Sequence, residues 1–168
     1  MNGQSPWSGR RLHFVGIAGA GMSGLALVAR ALGARVSGSD RAESPYLDSL
    51  RAQGIEPAIG HAAENVPDGA EVVYSTAVPA DNSERAVARR RGLREIHRGD
   101  LLGEVSVLRR CIAVSGTHGK TTTTAMIVHV LRRCGLDPSF LVGGQIDVGE
   151  GLPANAGWGG GEWIVVEA

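Results

Sequence analysis

The residues Gly19-Ala20-Gly21-Met22-Ser23-Gly24 stand between an apolar run, Leu12 to Ile17, and a stretch rich in alanine and leucine, Met22 to Leu32. A buried strand that turns through a G-x-G-x-x-G loop into a helix is the opening unit of a parallel α/β sheet. Its glycines let backbone N–H groups approach a phosphate. The same rhythm continues downstream. Arg35–Ser39 reads as a strand, Pro45–Gln53 as a helix ended by Gly54, Glu56–Ile59 as a short strand and Glu71–Ser75 as a stronger one. Asn82–Arg91 follows as a helix, Leu93–Ile96 as a strand and Gly99–Val107 as a helix. The expected fold is α/β: a Rossmann-like parallel sheet with helices on both faces and any ligand along the edge made by the strand C-terminal ends.

After Leu108 the pattern restarts, which divides the chain into domains 1–107 and 108–168. Cys111–Ser115 reads as a buried strand, and Ser115-Gly116-Thr117-His118-Gly119-Lys120-Thr121-Thr122 opens a helix that runs to about Cys134. Gly135 and Pro138 stop it. The glycine-rich stretch 143–161 reads as a loop or loose hairpin, and Glu162–Glu167 as a last strand. This second part resembles the start of a P-loop ATPase α/β domain. A P-loop sheet usually has more strands than the two read here, so the chain reads as truncated in mid-fold.

The second loop carries the sharper chemistry. Backbone N–H groups of residues Gly116, Thr117, His118, Gly119, Lys120, Thr121 and Thr122 can cradle the phosphates of ATP, with Lys120 reaching the β and γ groups as the catalytic cation. The Thr121 hydroxyl can ligate Mg²⁺. The pattern departs from G-x-x-x-x-G-K-[ST] at its first position, which is Val114. Glu167 is either a second hard metal ligand or an exposed strand-end acid. His118 either assists phosphate binding or packs within the loop.

Charge and composition narrow the partners. Lys plus Arg and Asp plus Glu each number 17, and aromatic residues make up 4%, which speaks against nucleic acid and anionic membrane surfaces. The cluster Arg85, Arg89, Arg90, Arg91 and Arg94 reads as a solvated helix face. Cys111 and Cys134 lack zinc or CxxC spacing and read as free core thiols in a reducing cytoplasm. Arg10-Arg11 before an apolar run looks like an export signal, but Gly16, Gly19, Gly21 and Gly24 interrupt that run. No stretch reaches the roughly 20 apolar residues that span a membrane.

The first loop alone leaves its ligand open. Asp40 lies sixteen residues after Gly24, near the spacing of about 20 at which an acid holds the ribose of NAD. A UDP-sugar also carries a diphosphate and a ribose, and the same geometry serves it.

Four ordered motifs resemble the Mur ligases that build peptidoglycan precursors: HFVGIAGAGMSGLA, VSGSD, GTHGKTTTT and a terminal VVEA. GMSG and GTHGKTTTT look most like the branch of that family that adds L-alanine. IGHAAENV, STAVPADNSE, HRGDLL, DPSFLVGG and NAGWG agree with it. The P-loop without its first glycine is the form this family uses. The resemblance implies an enzyme with a Rossmann-like domain for the UDP moiety, a central ATPase domain and a C-terminal domain, of which this sequence holds the first and the opening of the second. It implies an acyl phosphate made from ATP and the muramoyl carboxylate of UDP-N-acetylmuramate, then attack by the amine of L-alanine; the 168 residues alone are expected to be inactive. By motif position, Gly19, Ala20, Gly21, Met22 and Ser23 lie along the diphosphate. Ser37, Ser39 and Asp40 lie near the ribose and uracil, with His61, Ser75 and Thr76 around the pocket. Thr121 and Glu167 hold the metal. Two other readings stand beside this one: the related ligase that recycles whole peptides onto UDP-N-acetylmuramate, and a nucleotide-binding module without catalysis. An NAD-dependent oxidoreductase is the more distant alternative.

Overall fold

A computed structural model of the chain describes residues 5–147 and 154–168. Its elements follow in the order β1 (Arg11–Val15), α1 (Ala20–Ala31), β2 (Arg35–Asp40), α2 (Pro45–Ala52), β3 (Ala58–Ile59), a 3-10 turn (Ala63–Asn65), β4 (Glu71–Tyr74) and α3 (Ser83–Arg90). Then come β5 (Glu95–His97), α4 (Arg98–Ser106), β6 (Arg110–Val114), α5 (Lys120–Arg133), β7 (Ser139–Ile146), β8 (Ala154–Gly157) and β9 (Trp163–Glu167). The first five strands form one parallel sheet in the order β3-β2-β1-β4-β5. That order reverses between β1 and β4, where open α/β sheets place their ligands. The other four form a second sheet, β6-β9-β7-β8, parallel except for the β7–β8 pair.

Alternation along β1 sorts the helices onto the two faces. Leu12 and Phe14 enter a core with Leu25 of α1, Leu47 of α2 and Leu101 of α4. Val15 points the other way, into a smaller cluster with Val87 and Ala88 of α3. The expected sheet with helices on both faces is what the chain forms. Its helix starts are locally encoded: Ser44 accepts the Tyr46 N–H at 3.3 Å before Pro45–Ala52, and Asn82 accepts the Glu84 N–H at 3.0 Å before Ser83–Arg90. Such caps each stabilise a helix by about 1 kcal/mol.

The two sheets share a core through α1. The cluster that holds Phe14 and Leu25 continues into Leu141, Ala156, Ile164 and Val166 of the second sheet. Gly24 permits this approach, because a Cβ there would stand 3.2 Å from Leu141 Cδ2 and 3.3 Å from the Ala156 Cβ. The third glycine of the loop therefore serves packing between the sheets.

Three expectations change in detail, and one, the division of the first apolar run, holds. Residues 139–146 form a full strand, β7, which pairs with β9 and with β8 across an irregular register; within the glycine-rich stretch, residues 148–153 lie outside the described residues. Cys111 and Cys134 are free but exposed, because Cys111 sits on edge strand β6 and Cys134 at the end of α5. The arginine cluster is largely an ion-pair network. Arg85 pairs with Glu95 at 2.7 Å and lies over the Tyr74 ring, and Arg94 pairs with Glu71 and Glu104 at 2.7 and 3.0 Å. The apolar run after Arg10-Arg11 is divided between β1 and α1, with Arg10 paired to Glu71 and Glu104, both at 2.8 Å.

Candidate functional site

A cavity of about 470 Å³ opens at the C-terminal edge of the first sheet, beside the reversal between β1 and β4. Of the residues singled out in the sequence, Gly19, Met22, Asp40, His61 and Ser75 line it. Arg41, Glu43, Ser44 and Asn82 line it as well and were not singled out as site residues in the sequence. The loop before α1 is held firmly. Asp40 Oδ2 accepts the Ala18 N–H at 2.8 Å, and the Ser44 hydroxyl donates to the Ala18 carbonyl at 2.9 Å. Asp40 Oδ1 accepts the Arg41 N–H at 2.7 Å. A carboxylate has about four acceptor positions, so Asp40 braces the loop and keeps acceptor capacity toward the cavity.

The remaining residues of the first group are placed elsewhere. Ser23 is fully buried; its hydroxyl donates to the Ala20 carbonyl at 3.1 Å and accepts Asn155 Nδ2 at 2.8 Å. Asn155, on β8, also donates to the Ala20 carbonyl at 2.6 Å, which ties the start of α1 to the second sheet. Gly21 faces Arg98, away from the larger cavity. Thr76 is exposed outside the cavity lining.

Ser37 and Ser39 lie beneath the cavity in a buried polar network. Parallel register places His13 beside Ser37 and Val15 beside Ser39, and period-two alternation turns both serines toward α3, where Glu84 waits. Ser39 donates to Glu84 Oε2 at 2.6 Å and bonds His61 Nδ1 at 2.8 Å. His13 joins Ser37 at 2.9 Å and Glu84 Oε2 at 3.4 Å. Glu84 Oε1 accepts from Asn65 Nδ2 at 2.8 Å and the Ala62 N–H at 3.2 Å. Burial pushes the Glu84 carboxyl up, but hydrogen bonds from His13, Ser39 and Asn65, with the charge of His13, outweigh it and hold the carboxyl at about 2. A fixed anion thus sits below His61, whose side chain is 15% exposed at the cavity floor. Glu84 and His13 lie within the motifs STAVPADNSE and HFVGIAGAGMSGLA, but nothing in the sequence singles them out as site residues. The alternation His13–Val15 and Ser37–Ser39 was the available signal, but it does not say what covers that face.

The second loop lies on the surface. Residues 115–119 are exposed, and Gly119, at φ +76°, caps α5 in a left-handed conformation that a side chain would strain. His118 is exposed, so it does not pack within the loop; Thr122 is also exposed. Lys120 Nζ donates to the Gly116 carbonyl at 2.8 Å, a bond the lysine must release to meet a phosphate. Thr121 Oγ1 lies 3.2 and 3.1 Å from the two Glu167 carboxylate oxygens, and the Gly143 N–H donates to Glu167 Oε2 at 2.7 Å. Parallel pairing of β6 with β9 makes this meeting possible, since Val114 and Glu167 stand side by side. A hydroxyl and a carboxylate converging within 3.2 Å are hard oxygen donors of the kind Mg²⁺ takes, with waters and phosphate oxygens supplying the rest. Among the described residues no group of three or more His, Cys, Asp or Glu gathers as a metal site.

Residues 11–110 match the family model described as Mur ligase family, catalytic domain. The chain belongs to the Mur ligase family. A UDP-N-acetylmuramate–L-alanine ligase from Acidiphilium cryptum is 50% identical over 163 residues, 97% of this chain and 33% of the relative. One from Sinorhizobium medicae is 48% identical over 94% of this chain and 33% of its own length. Among solved structures, the UDP-N-acetylmuramate–alanine ligase MurC of Thermotoga maritima superposes with a TM-score of 0.87 at 35% identity, covering 94% of this chain and 37% of that one. The UDP-N-acetylmuramate:L-alanyl-gamma-D-glutamyl-meso-diaminopimelate ligase of Neisseria meningitides gives 0.83 at 31%, covering 95% and 52%. The chain spans about a third of the length of the curated relatives it matches. Among the described residues of this Mur ligase chain, no helix is long and apolar enough to cross a membrane.

Proposed function

We propose that this chain is the UDP-sugar-binding part, residues 1–107, and the first part of the ATP-binding domain, residues 108–168, of a cytoplasmic ligase. The ligase joins L-alanine to the carboxylate of UDP-N-acetylmuramate at the expense of ATP, a step of peptidoglycan precursor synthesis. One observation carries the reading. The helices α2, α3 and α4 are capped by Ser44, Asn82 and His97 and have Asp48, Glu84 and Asp100 in their first turns. The two that follow the glycine loops, α1 and α5, have no side-chain cap and no acid in the first turn. Those two positive ends are left for anions, as the diphosphate of a UDP-sugar and the triphosphate of ATP require. Among solved structures the alanine-adding ligase is 35% identical and the peptide-adding one 31%, and a curated alanine-adding relative reaches 50%, which favours the former.

In this reading the muramoyl carboxylate attacks the γ-phosphorus of ATP, the bond to the β-phosphate oxygen breaks, and ADP leaves an acyl phosphate. The amine of L-alanine adds to the acyl carbon, loses a proton, and the tetrahedral intermediate expels phosphate. Little covalent work falls to the protein; charge neutralisation and positioning do. Lys120, released from the Gly116 carbonyl, neutralises the transferring phosphoryl group. Thr121 and Glu167 are the residues that would hold Mg²⁺, whose charge would offset that of the phosphate oxygens. Asp40 and Ser44 keep the first loop in shape, and the bonded frame of Ser39 and Glu84 fixes His61 at the cavity floor.

Calorimetric titration of the chain with UDP-N-acetylmuramate and, separately, with NADH tests the reading. Saturable binding of the UDP-sugar supports it, and tighter binding of NADH would sink it.

A further inference from the structure

Proton positions beneath the first cavity follow from the polarity of one residue. Glu84 is fully buried and, as a carboxylate, only accepts hydrogen bonds. Four donors converge on it: Asn65 Nδ2 and the Ala62 N–H on Oε1, the Ser39 hydroxyl and His13 Nε2 on Oε2. Ser39 has a single hydroxyl proton and gives it to Glu84 at 2.6 Å, so its oxygen meets His61 Nδ1 at 2.8 Å as an acceptor. His61 therefore carries its proton on Nδ1, and Glu84 Oε2 stands 3.5 Å from the same nitrogen. In the neutral ring the other nitrogen, Nε2, is then a bare acceptor. It has no partner among the described residues, and the ring lines the cavity. The charged groups nearby leave this polarity in place. His13 of β1 bonds Glu84 and Ser37, Asp40 of β2 accepts the Ala18 and Arg41 N–H groups, and Arg41 and Glu43 line the cavity without bonding the ring.

A bare acceptor at a cavity floor repels a phosphate oxygen and takes a neutral N–H or O–H. We propose that Glu84, through Ser39, is a positioning residue that holds His61 with Nε2 unprotonated, so that His61 accepts a hydrogen bond from the nucleoside of the UDP-sugar, from a ribose hydroxyl or the uracil N3–H. This rests on the ligase reading above and adds which end of the ligand the floor selects. A second proton on His61 turns Nε2 into a donor, so binding weakens as the ring is protonated. In E84Q the amide must turn its N–H₂ toward one pair of donors. The Ala62 N–H cannot reverse, whereas the Ser39 hydroxyl can; Ser39 then donates to His61 Nδ1, and the ring proton moves to Nε2.

The test follows the tautomer by imidazole ¹⁵N shifts and the affinity by calorimetry, in the chain and in its E84Q and H61L variants. Without ligand, the chain should show Nδ1–H and E84Q Nε2–H. From about pH 8 to about pH 5, where histidine titrates, the affinity of the chain for UDP-N-acetylmuramate should fall as the His61 shifts record the second proton. The phosphates of this ligand, linked at both ends, do not titrate there. H61L should remove that dependence, and E84Q should bind about 10-fold more weakly at the upper pH. At that pH, H61L should weaken UDP but not the analogue that lacks the donor. Indifference of UDP methylated at the uracil N3 assigns the donor to the base, and indifference of UDP without its ribose hydroxyls assigns it to the ribose. An Nε2–H tautomer in the unmutated chain, binding that tightens as His61 is protonated, or an equal H61L effect on UDP and both analogues would overturn the inference. So would an E84Q variant with the tautomer and affinity of the parent, and the other arms decide where E84Q does not fold. If the unmutated chain binds no UDP-sugar, the ligase reading falls, while the tautomer of the free chain still judges the role of Glu84.

Discussion

Glu84→Gln removes the charge on which the floor of the first cavity is organised, and the size of the effect follows from the geometry. The side chain is 0% exposed, and its two oxygens meet Ser39, His13, Asn65 and the Ala62 N–H. Its pKa falls from 4.5 to about 2 in the folded chain. A folded pKa below the unfolded one contributes stability above about pH 4.5, and that contribution disappears as the pH falls toward about 2. At 1.36 kcal/mol per unit this amounts to about 3 kcal/mol at neutral pH. Glutamine keeps the shape but turns an N–H₂ group toward donors, so we expect the variant to lose about that much at pH 7, or about 6–12 °C in melting temperature. Urea unfolding followed by circular dichroism from pH 7 to pH 2 measures both proteins. The gap between them should close below pH 4.5. A variant as stable as the parent at pH 7, or a gap that does not change with pH, would refute the reasoning.

Gly24→Val places two methyl groups where even a Cβ would stand 3.2 Å from Leu141 Cδ2. A loss of about 1–3 kcal/mol is expected in urea unfolding, and wild-type stability would show that α1 and the second sheet do not pack as described. Lys120→Ala should lower the affinity for a non-hydrolysable ATP analogue at least about tenfold, the scale of one charge-assisted bond. It should leave UDP-N-acetylmuramate binding unchanged, because the lysine and the first cavity share no residue. Retained binding of the ATP analogue removes Lys120 from its role.

The fold was largely legible in the sequence because its strands are short apolar runs between glycine turns and its helices carry their own caps. Leu12–Ile17 could hardly be anything but a buried strand, and Asn82 and Ser44 mark helix starts by their chemistry. Strand β7 was harder to read. Gly143 and Gly144 weaken its strand pattern, and only pairing with β9 and β8 makes residues 139–146 extended. The cysteines read as core residues because Cys111 sits in a strand-like run, and nothing local says that β6 lies at a sheet edge. The glycine loops were accessible from spacing, whereas the residues alone left Glu167 open and only the family resemblance paired it with Thr121. The network around Glu84 was not legible, since it depends on α3 packing over β1 and β2, a contact between residues far apart in the chain.

The central claim is that the first loop grips a UDP-sugar and the second grips ATP within one body joined by α1. A crystal structure of the chain with UDP-N-acetylmuramate, Mg²⁺ and a non-hydrolysable ATP analogue tests it most directly. We expect the UDP diphosphate beside Gly19 and Met22 in the cavity lined by Asp40 and His61, and the triphosphate on Gly116–Thr122 with the metal at Thr121 and Glu167. Density for the UDP-sugar on the second loop, or for the triphosphate in the first cavity, would contradict it.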